Sequence, residues 1–260
     1  MMERAFDEEW IDFYPREGKV GGAFCCEVSH AGQSRILTNF NGSFDAVDTL
    51  AHELGHAYHG TQTCSHRILN RDYPMQVAET ASTFNETHIT CLAIAKATGE
   101  EKLALLDNIL MNTTQVICDI YSRFLFEDSV FNACEDRFLM PEDLKAMMLD
   151  AQKKAYGDGL DPEYMHPYMW ACKGHYYSEA LSYYNFPYAF GAMLAMGLYS
   201  MYLKEGEAFL PKYNKFLHAT TVMSVEDTAA VVGIDLTSKD FWRESLKSFA
   251  DMIDEFVELA

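Results

Sequence analysis

The hydrophobic and polar positions predict β-structure in only one part of the chain, between Gly18 and Phe40. This part contains G-G-A-F-C-C-E-V and S-R-I-L-T-N-F, separated by S-H-A-G-Q. β-prone residues on both sides of a glycine-containing turn predict a β-hairpin. Nearly all of the later chain has apolar residues at helical spacing. The pattern therefore predicts a mainly α protein with a small β element near its N-terminus.

Capping residues and prolines set the limits of the predicted helices. Asp45 is a suitable N-cap for a first helix that Gly60 ends. Pro74 precedes a second long helix, which Gly99 stops. A loop is predicted over residues 156–174, which are rich in Gly and Pro. The remaining predicted helices cover residues 100–133, 141 to about 156, 187 to about 206, a short helix capped by Ser224, and residues 238–258.

Composition narrows the class of protein. The chain has 260 residues, 49% of them hydrophobic, and shows no repeat or linker, so we expect a single domain over residues 1–260. No apolar run approaches the roughly 20 residues that span a bilayer, and the acidic N-terminus lacks an apolar signal core. Seven scattered cysteines without a C-x-x-C pair indicate a reducing, cytoplasmic environment. The net charge of −19 argues against a nucleic-acid partner.

The first predicted helix contains H52-E-L-G-H56. Residues i and i+4 of a helix differ by about 40° around its axis, so His52 and His56 project from one face and could bind one Zn²⁺. Glu53 lies between them in sequence, where it could act on a water molecule at the metal. The alternative is a solvated polar face, but Leu50, Leu54 and Ala57 indicate a half-buried helix, where unpaired histidines would be costly.

A catalytic zinc needs a third protein ligand. The pattern H-E-x-x-H-x-x-G-x-x-H fails, since position 59 is His and position 62 is Gln. The other option is Glu79 on the following helix, where Ala78, Ala81 and Ser82 would allow close packing.

Two further residues belong to this hypothesis in supporting roles. Glu86 lies on the same face as Glu79 and could hydrogen-bond a ligand histidine, although both glutamates could also form a solvated stripe. We expect His59 to be structural or to support a ligand rather than to bind metal. Zinc is inferred from the ligand types, which Mn²⁺ or Co²⁺ could also accept.

H52-E-L-G-H-A-Y-H59 followed by V77-A-E-T-A-S-T-F-N-E86 resembles the zinc oligopeptidases of the thimet oligopeptidase and oligoendopeptidase F family. The upstream stretch F-N-G-S-F-D-A-V-D-T-L-A is also similar to oligoendopeptidase F. The resemblance implies a zincin-like helical catalytic domain that hydrolyses peptide bonds in short peptides. It also implies one zinc bound by His52, His56 and Glu79, with Glu53 as catalytic acid/base.

The family also has a histidine and several tyrosines that stabilise the transition state, and H175-Y-Y-S-E-A-L-S-Y-Y-N-F-P-Y-A-F-G191 resembles that stretch. His175 and Tyr188 are the best matches and Tyr184 is the next. Tyr176, Tyr177 and Tyr183 are alternatives, and an aromatic core is the structural explanation. A Tyr O–H or His N–H can stabilise the negative charge that develops on an attacked carbonyl oxygen.

Family members usually carry a large N-terminal helical lobe, which we expect to be largely absent from these residues. This leaves two rival hypotheses: a zinc-binding helical domain without turnover, and a subunit that self-associates or needs a partner to supply the lobe. For the enzyme, either the strand Arg35 to Phe40 or the strand Gly22 to Val28 could offer its edge to an extended peptide.

Overall fold

The structure is a computed structural model that describes all 260 residues. The chain divides into two compact units. Unit 1 contains Met1–Asp107 and Gly191–Ala260, and unit 2 contains Asn108–Phe190. The single domain over residues 1–260 stays a prediction. The helices and strands are α1 Met2–Asp7, β1 Ile11–Asp12, β2 Phe24–Val28, β3 Gln33–Leu37, α2 Phe44–Thr63, α3 Met75–Ala78, α4 Thr80–Lys96, α5 Gly99–Thr114, α6 Ile120–Cys134, α7 Pro141–Tyr156, α8 Phe186–Glu205, α9 Leu210–Ala219, α10 Val225–Ala230 and α11 Lys239–Leu259.

The small sheet of unit 1 has the strand order β1-β3-β2. β2 and β3 pair antiparallel, with Cys25 opposite Ile36, which confirms the predicted hairpin. β1 was not predicted, and it pairs parallel to β3 with Ile11 opposite Ile36. β3 is therefore paired on both sides. The expectation that the strand Arg35 to Phe40 could offer an edge is wrong, and β2 is the edge strand of the hairpin.

The sheet packs on α2 through alternating side chains. Trp10, Ile36, Leu54 and Ala57 are all buried in one hydrophobic cluster with Ala5. The cluster covers the apolar side of α2. The polar residues of H52-E-L-G-H56 thus lie on a helix that is anchored along its other side.

Two predicted helix limits were wrong. Ser43, not Asp45, is the N-cap of α2, because its side chain accepts the Ala46 N–H at 3.2 Å. The helix also continues past Gly60 to Thr63. A Cβ at Gly60 would lie 2.8 Å from the carboxyl carbon of Glu27. Gly60 therefore permits close packing of the hairpin and does not end the helix.

The predicted second helix from Pro74 to Gly99 is two helices. α3 ends at Ala78 and α4 starts at Thr80, with Glu79 between them at φ −89° and ψ 1°. The predicted helix 100–133 is also interrupted, by a π-helical segment at Gln115–Asp119. α7, α8, α10 and α11 lie within one or two residues of their predicted limits, whereas α1 and α9 were not predicted.

Unit 2 has its own core between α6 and α7. Phe126, Met148 and Ala151 are buried there, and Trp170 and Tyr176 pack against them. Residues 157–185 form a loop that contains short 3-10 turns and extends beyond the loop predicted over residues 156–174. The loop is therefore attached to its own helices by apolar contacts. Across the chain, no helix combines the length and apolarity that a bilayer span requires.

Candidate metal centre and catalytic groups

α2 presents His52 and His56 from the same face, as their spacing predicts. Their ring centroids are 5.0 Å apart and the ring planes meet at 81°. Both side chains are partly exposed, whereas Leu54 and Ala57 are buried on the opposite side. The helix is thus amphipathic: its apolar side is buried, and the two imidazoles lie on its solvent-accessible side, where a metal ion could reach them.

Glu79 completes a group of three ligand atoms. Its Oε2 lies 3.3 Å from His52 Nε2 and 3.5 Å from His56 Nε2. The ligand atoms of the three residues all lie within 4.8 Å of one another. Because Glu79 occupies the junction of α3 and α4, its carboxylate comes from a turn and not from the middle of a long helix.

Close backbone packing brings Glu79 to the histidines. A Cβ at Gly55 would lie 2.5 Å from the Ala81 carbonyl oxygen and 2.6 Å from the Ser82 Cα. A Cβ at Gly191, on α8, would lie 3.1 Å from the Glu79 Cβ. Ala81 and Ser82 were expected to allow the approach, and Gly55 is the residue on α2 that makes it possible.

Glu86 accepts a hydrogen bond from His52, since its Oε2 lies 3.1 Å from His52 Nδ1. This is the contact that its position on α4 predicts. A proton on Nδ1 leaves Nε2 with a free lone pair for a metal. Asp48 lies next to Glu86, and its carboxylate accepts a hydrogen bond from the Thr90 hydroxyl at 3.0 Å. Burial and the neighbouring Glu86 carboxylate raise the pKa of Asp48 to about 7.

Without a metal the three ligands form a charged hydrogen-bonded group. Burial opposes a charge on His52, but its bonds to Glu79 and Glu86 outweigh that effect and raise its pKa to about 10. Burial likewise opposes a charge on Glu79. The bonds to His52 and His56 nevertheless hold the pKa of Glu79 well below its usual range. Even without a metal, the two histidine side chains therefore stabilise the ionised carboxylate of Glu79.

Glu53 is 5% exposed and lies beside the ligands. Burial raises the pKa of its carboxyl, and Glu79 adds to the rise, whereas His52 and His56 oppose it. A carboxylate with a raised pKa is suited to accept a proton and then return it.

His59 does not belong to the ligand group. It is fully buried, its Nε2 lies 2.8 Å from the Thr220 hydroxyl, and its ring stacks on Tyr73 at 4.0 Å. The Thr220 hydroxyl donates to the Leu217 carbonyl, so His59 is the donor in their bond. Burial lowers the pKa of His59 to about 3. This is the structural role that we expected of it.

The edge strand β2 lies beside the same helix. Cys25 packs against the cluster on α2, and Glu53 is among the charges that raise the pKa of its thiol, after burial. The Glu27 carboxylate lies against Gly60. β2 therefore runs next to the helix that bears the histidines, and its outer edge is not paired within the sheet.

The predicted transition-state residues all lie in unit 2. The hydroxyls of Tyr184 and Tyr188 are 2.9 Å apart, and the Tyr184 ring lies 6.0 Å from that of His175. Tyr188 is 37% exposed. Burial lowers the pKa of His175, and nearby Arg123 and Lys173 lower it further. The three residues thus form one group, and their catalytic role stays a prediction.

The alternative tyrosines have different surroundings. The Tyr176 hydroxyl donates to the Arg123 carbonyl at 3.2 Å, and the Tyr183 hydroxyl donates to Asp128 at 3.0 Å. Tyr177 is 65% exposed. The first two hydroxyls are used in folding contacts, so Tyr184, Tyr188 and the exposed Tyr177 are the better candidates.

The family model of peptidase family M3 matches residues 1–248. The chain is 29% identical over 262 residues to oligopeptidase PepF of Bacillus subtilis, covering 100% of the chain and 38% of that protein. It is 28% identical over 261 residues to the chromosomal oligoendopeptidase F of Lactococcus lactis, covering 99% of the chain and 43% of that protein. The chain therefore spans about two fifths of the length of these relatives.

Solved structures agree on the fold. A candidate peptidase from Chlamydophila abortus superposes with a TM-score of 0.87 at 22% identity, covering 100% of this chain and 44% of that one. Oligoendopeptidase F from Enterococcus faecium gives a TM-score of 0.69 at 22% identity, covering 83% and 39%.

The helical fold is that of solved peptidase structures, and His52, His56 and Glu79 form a group that could hold a metal ion. The chain belongs to peptidase family M3. The resemblance read from the two motifs is thereby confirmed.

Proposed function

We propose that this chain carries the active site of a zinc-dependent endopeptidase that hydrolyses short peptides. The observation that carries the proposal is the convergence of His52, His56 and Glu79, with Glu53 adjacent on the same helix. The matched relatives are oligopeptidases and oligoendopeptidases.

The ligand group fits zinc. Ligand atoms held about 2.0–2.1 Å from a tetrahedral zinc lie about 3.3 Å from one another. Glu79 Oε2 is 3.3 Å and 3.5 Å from the two histidine Nε2 atoms. Two imidazoles and a carboxylate are also a known donor set for catalytic zinc, which keeps one position for water or substrate. His52, His56 and Glu79 would hold the ion.

Bound zinc would supply a Lewis acid that polarises the peptide carbonyl and makes a water molecule more acidic. Glu53 accepts the proton of the attacking water as general base. It then delivers this proton to the leaving amine nitrogen as the C–N bond breaks. The burial of Glu53 supports both steps, because a raised pKa reduces the free-energy difference between its ionised and protonated forms near neutral pH.

Tyr188 and His175 would stabilise the carbonyl oxygen as it becomes negative, with Tyr184 assisting through its bond to Tyr188. A peptide would pair with the outer edge of β2, since main-chain hydrogen bonds to an edge strand bind extended chains without regard to sequence. The electrostatic contacts of Cys25 with Glu53 and of Glu27 with His56 support this orientation.

The test is hydrolysis of an internally quenched fluorescent peptide by zinc-loaded protein. We expect turnover by the native chain and a loss of about 10²- to 10⁴-fold in kcat for Glu53→Gln. His30→Gln is the matched control, because His30 is exposed on the hairpin turn. Metal content is measured on each sample.

The outcomes separate the rival hypotheses. Zinc bound at one ion per chain with no rate above the Glu53→Gln background would leave a zinc-binding domain without turnover. A rate that appears only at high protein concentration would favour a self-associated enzyme. Zinc content that does not change in His52→Ala would contradict the ligand assignment.

A further inference from the structure

A buried polar network in unit 2 is not explained by the proposed chemistry. It comprises Asp119, Arg123 and Glu127, which follow one another at intervals of four residues and so share one face of the helix. Asp119 is 9% exposed and Glu127 is 6% exposed. Ionisable side chains are rarely buried unless they are paired, because desolvation is costly. The partners of this network therefore indicate what it does.

Arg123 connects α6 to the loop that contains the candidate tyrosines. One guanidinium nitrogen pairs with Asp119. The other donates to the Asn185 side-chain oxygen at 2.6 Å. The Arg123 carbonyl also accepts the Tyr176 hydroxyl. Arg123 thus binds two parts of the loop, one on each side of residues 177–184.

Asp119 ends the π-helical segment Gln115–Asp119 that separates α5 from α6. A π-helical turn shifts the face on which the following residues lie, and such turns occur often at functional sites. Asp119 therefore lies where the π-helical turn meets α6, one helical turn before its partner Arg123.

Glu127 makes the second connection between α6 and the loop. Its Oε1 accepts the backbone N–H of Tyr183 at 2.9 Å. Tyr183 has φ +56°, in the left-handed region that disfavours a residue with a bulky side chain. Its hydroxyl donates to Asp128, the next residue of α6. The strained residue is therefore held at both its backbone and its side chain.

These contacts fix the residues on both sides of Tyr184. Glu127 holds Tyr183 and Arg123 holds Asn185. The direction of the Tyr184 side chain, which reaches the Tyr188 hydroxyl, follows from its two neighbours. Tyr183, with its strained backbone, lies directly before Tyr184 in sequence. Such strain persists only where surrounding contacts determine it, and it concentrates at active sites.

We propose that Arg123 and Glu127 are positioning residues that hold the hydroxyls of Tyr184 and Tyr188 in the geometry required for catalysis. The inference deepens the proposed function and rests on it. Neither residue needs to touch the substrate, since each acts through the residue next to Tyr184.

The first experiment compares Glu127→Leu and Glu127→Gln in the peptide assay. Leucine is similar in size and removes the acceptor, whereas glutamine keeps an oxygen for the Tyr183 N–H. We expect Glu127→Leu to lower kcat by about 10- to 100-fold with little change in KM. Glu127→Gln should restore most of the rate. Glu135→Leu is the matched control, because Glu135 is exposed just beyond α6.

A double-mutant cycle separates positioning from general stability. In a Tyr184→Phe/Tyr188→Phe background the hydroxyls are absent, so Glu127→Leu should cost less than about threefold. An equal loss in both backgrounds, or unchanged kcat in a folded Glu127→Leu protein, would overturn the proposal. Arg123→Lys serves as the second variant if Glu127→Leu does not fold, with the same expected dependence on the hydroxyls.

A readout that needs no activity keeps the inference separate from the proposed enzyme function. Tyrosine rings labelled with ¹³C give one NMR signal set for Tyr184 and Tyr188 if they are held in one geometry. We expect these signals to shift or broaden in Glu127→Leu and to return in Glu127→Gln. Unchanged signals would refute positioning even in an inactive protein. Altered signals together with full peptidase activity would also refute it, because catalysis would not depend on the geometry.

Discussion

At the scale of single residues, the proposed metal ligands are oriented by contacts with neighbouring side chains. Glu86 fixes the Nδ1 proton of His52 and so leaves Nε2 for the metal. The sequence identified Glu86 through its spacing from Glu79. It did not identify Asp48, because one carboxylate on the first turns of α2 has the same appearance whether it is buried or solvated.

Replacing Glu86 by Gln should weaken zinc binding by about 10- to 100-fold, because a neutral acceptor polarises His52 less than a carboxylate does. Competition with a fluorescent zinc chelator measures the change. Glu101→Gln is the control, since Glu101 is exposed on α5. Equal affinities of the native chain and Glu86→Gln would show that the contact does not tune the ligand.

His59 should make the folded state sensitive to acid. Its pKa is lowered from 6.5 to about 3 in the folded protein. Between these values the unfolded chain binds a proton at this residue and the folded chain does not. The free energy of unfolding should therefore fall as the pH decreases from about 6.5 towards 3.

Urea unfolding of the metal-free protein at pH 7.5 and pH 5 measures this dependence. His59→Phe keeps the stacking on Tyr73 but cannot titrate, so it should lose less stability on acidification than the native chain does. His30→Gln should behave like the native chain. The same pH dependence in His59→Phe would assign the acid sensitivity to other groups.

At the scale of elements, proline signals were reliable and capping signals were mixed, since Ser43 and not Asp45 is the N-cap of α2. Pro141 and Ser224 correctly predicted the starts of α7 and α10. Glycine was less informative, since Gly60 lies inside α2 and serves packing. β1 has only two residues and pairs with a strand that follows it by more than twenty positions. No local pattern reveals such a pairing.

The polar network on α6 was hidden for a similar reason. Charged residues four apart are typical of a solvent-facing helix, and Asp119, Arg123 and Glu127 have that spacing. Their burial depends on the loop that packs over them. Only the structure shows that these residues face inward.

Gly55 sets the distance between α2 and α4. In Gly55→Ala, the new Cβ would lie 2.5 Å from the backbone oxygen of Ala81, so the helices must separate. We expect the variant to be destabilised by about 1–3 kcal/mol and to bind zinc more weakly, since Glu79 and Glu86 would move with α4. Thermal unfolding and chelator competition measure the two effects.

Gly21→Ala is the control for that variant, because a Cβ at Gly21 meets nothing within 4 Å. Native zinc affinity in a destabilised Gly55→Ala protein would show that the ligands adjust independently of the helix spacing.

At the scale of the whole molecule, the proposed metal ligands lie in unit 1 and the candidate transition-state residues in unit 2. The two motifs indicated the family, and the family model confirmed it over most of the chain. The division into units was not predicted. Helical periodicity continues across both boundaries, which fall within α5 and α8.

Zinc should stabilise the chain by mass action, since it binds the folded site in preference to the unfolded chain. We expect hydrogen exchange to slow most in peptides from α2 and α4 when zinc is added. Peptides from α6 and α7 should change less. Chelation should restore the faster exchange. In the control His52→Ala, added zinc should not slow exchange. An equal increase in protection from hydrogen exchange in every segment would support the single cooperative domain that the sequence predicted.

The positions of the ligands along the chain also determine when a site can exist. His52 and Glu86 are 34 positions apart, and Glu79 lies between them. Thr220, which covers the back of α2 at His59, lies 161 positions after His59. Because the ribosome makes the N-terminal part first, every ligand has emerged long before the partner of His59 is synthesised. If the proposed site binds zinc, its ligands are available before the fold is complete, so the zinc concentration during translation would influence how much of the protein matures in its loaded form.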